Sequence, residues 1–349
     1  MKYWLGRIAL FLAVAALLLT FVNASWLAPT PIGGVKLIAH RGVSQLFDHK
    51  GVEHGTCTAD RIEPPVHDYQ ENTVRSMEAA ARLGADMVEI DIAPTADGRI
   101  AVFHDWTVDC RTEAKGDTRS KTLAELQALD IGHGYTADSG KTFPFRGRRK
   151  DHIPSLEEAL AALPNTPIMF NFKGKDPREA DQLAAALKAA RRNVVERRDA
   201  FYGSSRPVER IRTHFPKAFA FSKERAKACT KDYILLGWTS IVPESCQGGV
   251  IIVPINRQWM FWGWPNKLIQ RMQGVGARVI VIGNYGSDAG MGLTLPEQLG
   301  EIPSSFNGYV WVDDIWTVGP ALRPGRDFRT QAQMDAAEAG LKRRRARVE

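Results

Sequence analysis

The sequence predicts an α/β fold closed into a (β/α)8 (TIM) barrel, with a long loop inserted after its first strand. Three observations carry that expectation. Short β-rich runs alternate with helical stretches and number about eight, the pattern of parallel βαβ units, which close most naturally into a barrel. No Gly-rich loop follows the first strand, as an open dinucleotide-binding sheet would require; Gly33-Gly34 precede that strand instead. Residues able to do chemistry stand directly after strand ends, where barrel enzymes hold their active sites. The 349 residues, 44% apolar and 24% charged, suffice for one such domain, since barrels take roughly 200–250 residues.

The first 30 residues stand apart. Lys2 and Arg7 precede the apolar run Ile8–Val22, and small residues follow at Ala24 and Ser25. That order describes a secretory signal with a cleavage site at Val22-Asn23-Ala24. The same run could remain as a single membrane anchor, although it is short of the roughly 20 apolar residues that a span prefers. Either way the chain is expected to be exported, to a periplasmic, extracellular or outward-facing anchored position. Four cysteines in an exported chain suggest disulfides. They allow three connectivities, and the sequence-local one pairs Cys57 with Cys110 and Cys229 with Cys246.

The barrel is expected over residues 34–325. Lys36–Ala39 reads as a strand, and the polar segment Val43–Gln70 follows it. Asn72–Leu83 is helical by its apolar spacing, with Gly84 at the position that ends it. Asp86–Ile92 and Ile100–Phe103 read as strands joined by the tight turn Asp97-Gly98. Thr122–Leu129 and Ser155–Leu163 are helices; Ser155 and Glu158 make a capping-box pattern. Ile168–Phe172 is a strand and Pro177–Arg192 a helix. Ala200–Tyr202, Ala218–Phe221, Val250–Ile255, Arg278–Ile282 and Tyr309–Val312 supply the remaining strands.

Residues 326–349 look like a polar, helical, basic tail. The net charge is +7, and Lys342–Glu349 holds five basic residues against one acid. Such a run is expected to be solvated or to settle on anionic lipid, where each basic residue gains about 1 kcal/mol. A nucleic-acid partner is not expected of an exported chain.

Four strand ends carry the chemistry. Glu89 and Asp91, two apart on a strand, point to the same side, and two carboxylates there call for a cation or a proton between them. Oxygen ligands favour Ca²⁺ or Mg²⁺. His40 and His104 are candidates for general acid and base, because imidazole titrates near neutrality. Arg41 offers a planar fork of donors for phosphate oxygens and Lys173 a point charge. Together these suit phosphoryl transfer better than acyl transfer.

At these residues the chain resembles the glycerophosphodiester phosphodiesterase family, a TIM barrel of the phosphatidylinositol-phospholipase-C type. The matching pieces are H-R-G at His40–Gly42, E-N-T at Glu71–Thr73 and the run Gly84–Asp105. Arg111-Thr112, the T-x-x-E-L of Thr122–Leu126 and the I-P-S-L-E-E of Ile153–Glu158 follow. The resemblance implies hydrolysis of a glycerol-type phosphodiester to a sugar-alcohol phosphate and an alcohol. It implies His40 and His104 as the acid–base pair, Arg41 and Lys173 on the phosphate, and Glu89 and Asp91 on a divalent cation. Asn171 stands where the family usually has a third metal-binding carboxylate, so weaker metal binding is expected. Glu71 is a further candidate near the metal or the substrate hydroxyls, and Asp313 and Asp314 are possible helpers.

Two alternatives stay open: a phospholipase D-type relative acting on lysophospholipid or sphingolipid headgroups, and a non-catalytic phosphate-binding envelope protein. The segment Val43–Gln70 is expected to form a lid over the site, with His49, His54 and His67 as ordinary loop histidines or extra ligands. Trp259, Phe261, Trp262 and Trp264 are expected to pack under a loop, to wall the pocket for the substrate's alcohol, or to meet a membrane interface.

Overall fold

The computed structural model describes residues 2–53, 55–286 and 291–348. Its nine strands are β1 Lys36–His40, β2 Met87–Pro94, β3 Ile100–Val102, β4 Ile168–Phe172, β5 Ala200–Gly203, β6 Phe219–Ser222, β7 Val250–Pro254, β8 Arg278–Ile282 and β9 Tyr309–Val312. Among the described residues its α-helices are α1 Lys2–Asn23, α2 Val74–Arg82, α3 Leu123–Gln127, α4 Leu156–Ala162, α5 Arg178–Ala189, α6 Ser205–His214, α7 Lys223–Leu236, α8 Asn266–Gly274, α9 Ile315–Leu322 and α10 Gln331–Val348. Eight parallel strands run round in the order β6-β5-β4-β2-β1-β9-β8-β7, a nearly closed barrel.

The expected third barrel strand is placed differently. β3 pairs antiparallel with the end of β2, Ile92 opposite Val102, and the barrel's third strand is β4. The two-residue Asp97-Gly98 turn can only fold the chain back, whereas a parallel neighbour needs a crossover of a dozen or more residues. The hairpin returns the chain to the rim, where the Phe103 amide donates to the Asp91 carbonyl at 3.0 Å.

Side chains alternate across every strand. Leu37, Val88, Ile90, Phe170 and Phe201 join the shell between strands and helices. Ile38, Met87, Met169, Tyr202 and Trp311 fill the barrel interior. Helix starts follow local chemistry: Thr73, Thr122 and Ser155 each accept from the amide three residues on, in a full capping box.

Among the described residues no ladder joins β6 to β7. At that seam the Ile252 amide donates to Thr230 Oγ1 of α7 at 3.0 Å. The Cys229–Cys246 disulfide ties α7 to the turn before β7, and Cys57–Cys110 ties the inserted segment to the loop after β3. Both pairings are the sequence-local ones.

The basic run of α10 is solvated only in part: Lys342 and Arg343 are exposed, while three arginines are paired. Arg344, buried, pairs with Asp314 at 2.5 Å and with Glu63 of the inserted segment at 3.4 Å. Arg347 also pairs with Glu63, at 2.5 Å. The acids of the insertion and the rim neutralise this helix and dock it there.

Candidate active site

The site begins with a bend. Beyond β1 the chain turns through left-handed backbone at Arg41 (φ 62°) and Gly42 (φ 78°), and a Cβ on Gly42 would lie 2.6 Å from Ser76 Oγ. Only glycine fits that approach. Asn72 is left-handed too (φ 59°), and its amide donates to the Arg41 carbonyl at 2.9 Å. The Asn72 side chain donates to Asp91 Oδ2 at 3.0 Å and accepts from the Asp91 amide at 3.1 Å. Strained residues held on both sides in this way mark a site built to fix positions.

The strands bring the expected residues together through their registers. His40 lies opposite Glu89, and Asp91 opposite Asn171. The Arg41 guanidinium donates to Glu71 Oε1 at 2.8 Å and lies 3.2 Å from Asp91 Oδ2 through Nε. Burial alone would lower the Arg41 pKa, but Asp91, Glu71 and Glu89 outweigh it and hold the charge firmly. Asp91 is surrounded by donors: Asn72, Asn171 at 2.8 Å, and Lys173 at 4.0 Å besides Arg41. Burial pushes its carboxyl up, yet His104, Arg41 and Lys173 hold it far below the carboxylate range. Glu89 moves the other way, raised by burial and by Asp91.

Each histidine is fastened at Nδ1. His40 Nδ1 lies 2.7 Å from Asp313 Oδ1, and His104 Nδ1 lies 2.6 Å from Asp105 Oδ1. A carboxylate at Nδ1 fixes the tautomer and leaves Nε2 with its lone pair. Lys173 Nζ lies 2.7 Å from His104 Nε2. Burial, then Arg41, lower the His104 pKa, and burial lowers that of Lys173.

Four participants escaped the sequence reading or stood at its edge. Arg111, part of a recognised motif but given no role, is 1% exposed. It donates to Asp105 at 2.8 Å and Tyr135 at 2.6 Å, and meets Glu71 at 2.9 Å. Tyr202 donates to Glu89 Oε1 at 2.5 Å. Asp105 orients His104, and Asp313 orients His40. Strand parity was the available signal for two of them: Ala200 and Tyr202 share one side of β5, and Tyr309, Trp311 and Asp313 share one side of β9 and its extension.

A cavity of about 400 Å³ opens beside His40, Arg41, Glu71 and Asp313. Its apolar wall is Leu46 and Phe47 of the inserted segment with Ile282, Tyr285 and Met291. The segment thus borders the cavity, as a lid would. The tryptophan-rich run is not in that wall: Phe261 is buried in the core, and Trp264 packs on Phe306 at 5.3 Å. His49 lines the cavity. His67 is a half-buried loop histidine, contacting Gln45 Nε2 at 3.0 Å, with its pKa lowered by burial to about 3. His54 lies outside the described residues. Asp314 faces Arg344 and caps α9, away from the histidines.

Among the described residues no three His, Cys, Asp or Glu side chains gather as a metal site. The donors that remain are Glu89, Asp91 and Asn171. Asn171 Oδ1 is buried and has no hydrogen-bond partner, a costly state for a carbonyl oxygen. Two carboxylates and an orphaned amide oxygen fit a hard cation such as Ca²⁺ or Mg²⁺. Glu71, its Oε1 shared by Arg41 and Arg111, is placed as a brace for the guanidiniums.

Comparison with known proteins follows the same geography. Residues 40–231, more than half of the chain, match the model of the glycerophosphoryl diester phosphodiesterase family. A glycerophosphodiester phosphodiesterase of Bacillus altitudinis is 37% identical over 110 residues, 31% of this chain and 41% of the relative. One from Caldanaerobacter subterraneus subsp. tengcongensis is 32% identical over 123 residues, 34% and 47% of the two chains. The chain spans about half the length of the relatives it matches. Among solved structures, a glycerophosphodiester phosphodiesterase from Agrobacterium tumefaciens superposes with a TM-score of 0.55 at 20% identity, over 82% of this chain and 99% of that one. An Oleispira antarctica phosphodiesterase in complex with the product sn-glycerol-3-phosphate gives 0.52 at 16% identity, over 82% and 96%. These likenesses fix the barrel fold.

Proposed function

Because the chain belongs to the glycerophosphoryl diester phosphodiesterase family, we propose that it hydrolyses a glycerol-type phosphodiester to glycerol phosphate and an alcohol, by histidine acid–base catalysis. The observation that carries this reading is the pair of histidines, each with Nδ1 on a carboxylate and both beside Arg41. A neighbouring glycerol hydroxyl attacks phosphorus, and the Nε2 of one histidine takes its proton. The other histidine, doubly protonated with its Nδ1–H on its carboxylate, gives its Nε2 proton to the departing alcohol oxygen. Water then opens the cyclic phosphate, with the proton transfers reversed. Arg41 supplies two-pronged contact to phosphoryl oxygens, and Lys173 turns from His104 Nε2 to the phosphate as the substrate enters, freeing that lone pair. Glu89, Asp91 and Asn171 would hold a divalent cation, which supplies Lewis-acid stabilisation of the phosphoryl charge when bound.

In this reading residues 34–325 are the hydrolase, residues 1–30 a leader or anchor and residues 326–349 the tail. Export fits the two disulfides. The cavity's modest volume favours headgroup-sized diesters over lipids whose acyl chains must also be housed.

The test is hydrolysis of a panel of glycerophosphodiesters and lysolipids with added Ca²⁺ or Mg²⁺, and again after chelation. Glycerophosphodiester turnover that chelation abolishes is expected. Turnover indifferent to chelation would remove the cation from the scheme, and no turnover of any panel member would leave a phosphate-binding protein.

A further inference from the structure

We propose that α1 is retained as a single membrane span, and that an apolar collar where it joins the barrel seats the enzyme in the lipid headgroup–acyl boundary. Tyr3–Asn23 is long and apolar enough to cross a membrane, and none of it is buried in the protein. At 1.5 Å per residue its 21 residues reach about 30 Å, the thickness of a hydrocarbon core.

The junction is built as part of the fold. The Arg271 guanidinium of α8 donates to the Val22 carbonyl at 3.1 Å and to Asn23 Oδ1 at 3.0 Å. It also donates to the Gly237 carbonyl at 3.1 Å and to Ser240 Oγ at 2.6 Å. Asn23 donates to the Trp238 carbonyl at 3.0 Å, and the Asn266 amide donates to Ser25 Oγ at 3.0 Å. Ala24, the residue a peptidase would need to reach, is 4% exposed. Cleavage there would discard the Asn23 and Val22 contacts, two of the five that Arg271 makes.

The two segments that Arg271 ties together carry large apolar side chains into solvent: Trp26 (75% exposed), Leu27, Leu235, Leu236, Trp238 and Ile241 (68%). On a free surface such a group would invite aggregation. Beside a membrane-sized helix it has one fitting occupant, the bilayer interface, where tryptophan concentrates. Lys2 and Arg7 at the far end of the helix keep that end on the cytoplasmic side, which puts the barrel outside with its disulfides. In the basic run of α10, Arg344, Arg345 and Arg347 are engaged by Glu63, Asp314 and Glu297. Attachment through the span and the collar is apolar and is expected to withstand salt.

The test uses the full chain, purified from membranes and reconstituted into phosphatidylcholine vesicles with and without brominated acyl chains. Mass spectrometry is expected to show residues 1–23 present, and high salt is expected to release nothing. Bromolipid quenching of tryptophan emission is expected to fall in W26F/W238F, a change that keeps the surface apolar and the fold intact. A mature protein beginning after Ala24 in the soluble fraction would overturn the anchor. Quenching identical in W26F/W238F and the parent would overturn the collar, and neither readout depends on activity.

Discussion

The barrel before Gly203 and the barrel after it are built for different work. The first part holds His40, Arg41, Glu71, Glu89, Asp91, His104, Arg111 and Lys173, a dense set of charges that satisfy one another inside the rim. The second gives the site little besides Asp313 and one wall of the cavity, and it carries the collar at the foot of α1. The family match ends at residue 231, close to this division. Chemistry restricts many residues at once, so the first part is bound to a pattern. Holding one histidine and walling a cavity restrict few.

The largest effect expected from this division is on turnover. His104→Ala, wholly within the first part, should lower kcat by about 10²–10⁴-fold with little change in KM, read by steady-state kinetics on the best panel substrate. Asp313→Asn, in the second part, should cost on the order of 10²-fold by loosening His40. Asp313→Asn at parental rate would show that the second part only walls the site. Next comes stability. Arg111→Met takes one partner each from the buried Glu71 and the half-buried Asp105, and leaves Arg41 and His104 to hold them; it should destabilise by about 3 kcal/mol, measured by urea unfolding. A loss under 1 kcal/mol would mean that those charges find other partners.

The disulfides sharpen the comparison further. Removing Cys57–Cys110, which closes 53 residues, should cost about 4 kcal/mol on chain-entropy grounds and also slow turnover, since Cys110 precedes Arg111. Removing Cys229–Cys246, which closes 17, should cost about 3 kcal/mol and leave kcat near parental. Thermal melts with parallel assays decide it; equal effects on kcat would erase the distinction.

The smallest effect is with pH. His67 stays neutral in the fold down to about pH 3, whereas the unfolded chain takes up its proton near 6.5. Its contribution to stability is therefore complete above about pH 6.5 and lost as pH falls towards 3. The loss is about 2 kcal/mol by pH 5. His67→Gln should flatten that decline in urea midpoints; an unchanged slope would assign it to other groups.

What could be read without coordinates follows the same division. H-R-G, E-N-T and the Gly84–Asp105 run are local strings whose residues act close to where they stand. Capping boxes at Thr122 and Ser155 are legible for the same reason. Arg111 was visible only as half of a dipeptide, because two of its partners, Glu71 and Tyr135, come from other segments of the chain. Tyr202 and Asp313 sit on short strands, where two-residue parity is the only trace of facing inward. β3 was read as a strand correctly, but its direction depended on the brevity of the Asp97-Gly98 turn. The basic tail looked free because Glu63 and Asp314, its partners, lie about 280 and 30 residues away.

The seam between β6 and β7 has a consequence for how the barrel opens. Seven ladders bind the eight strands, and the last junction is a clasp made of Thr230 and the Cys229–Cys246 bond. With the Cys229–Cys246 bond reduced, the Thr230 hydrogen bond is left to span the junction, so this seam is where the barrel is expected to open first.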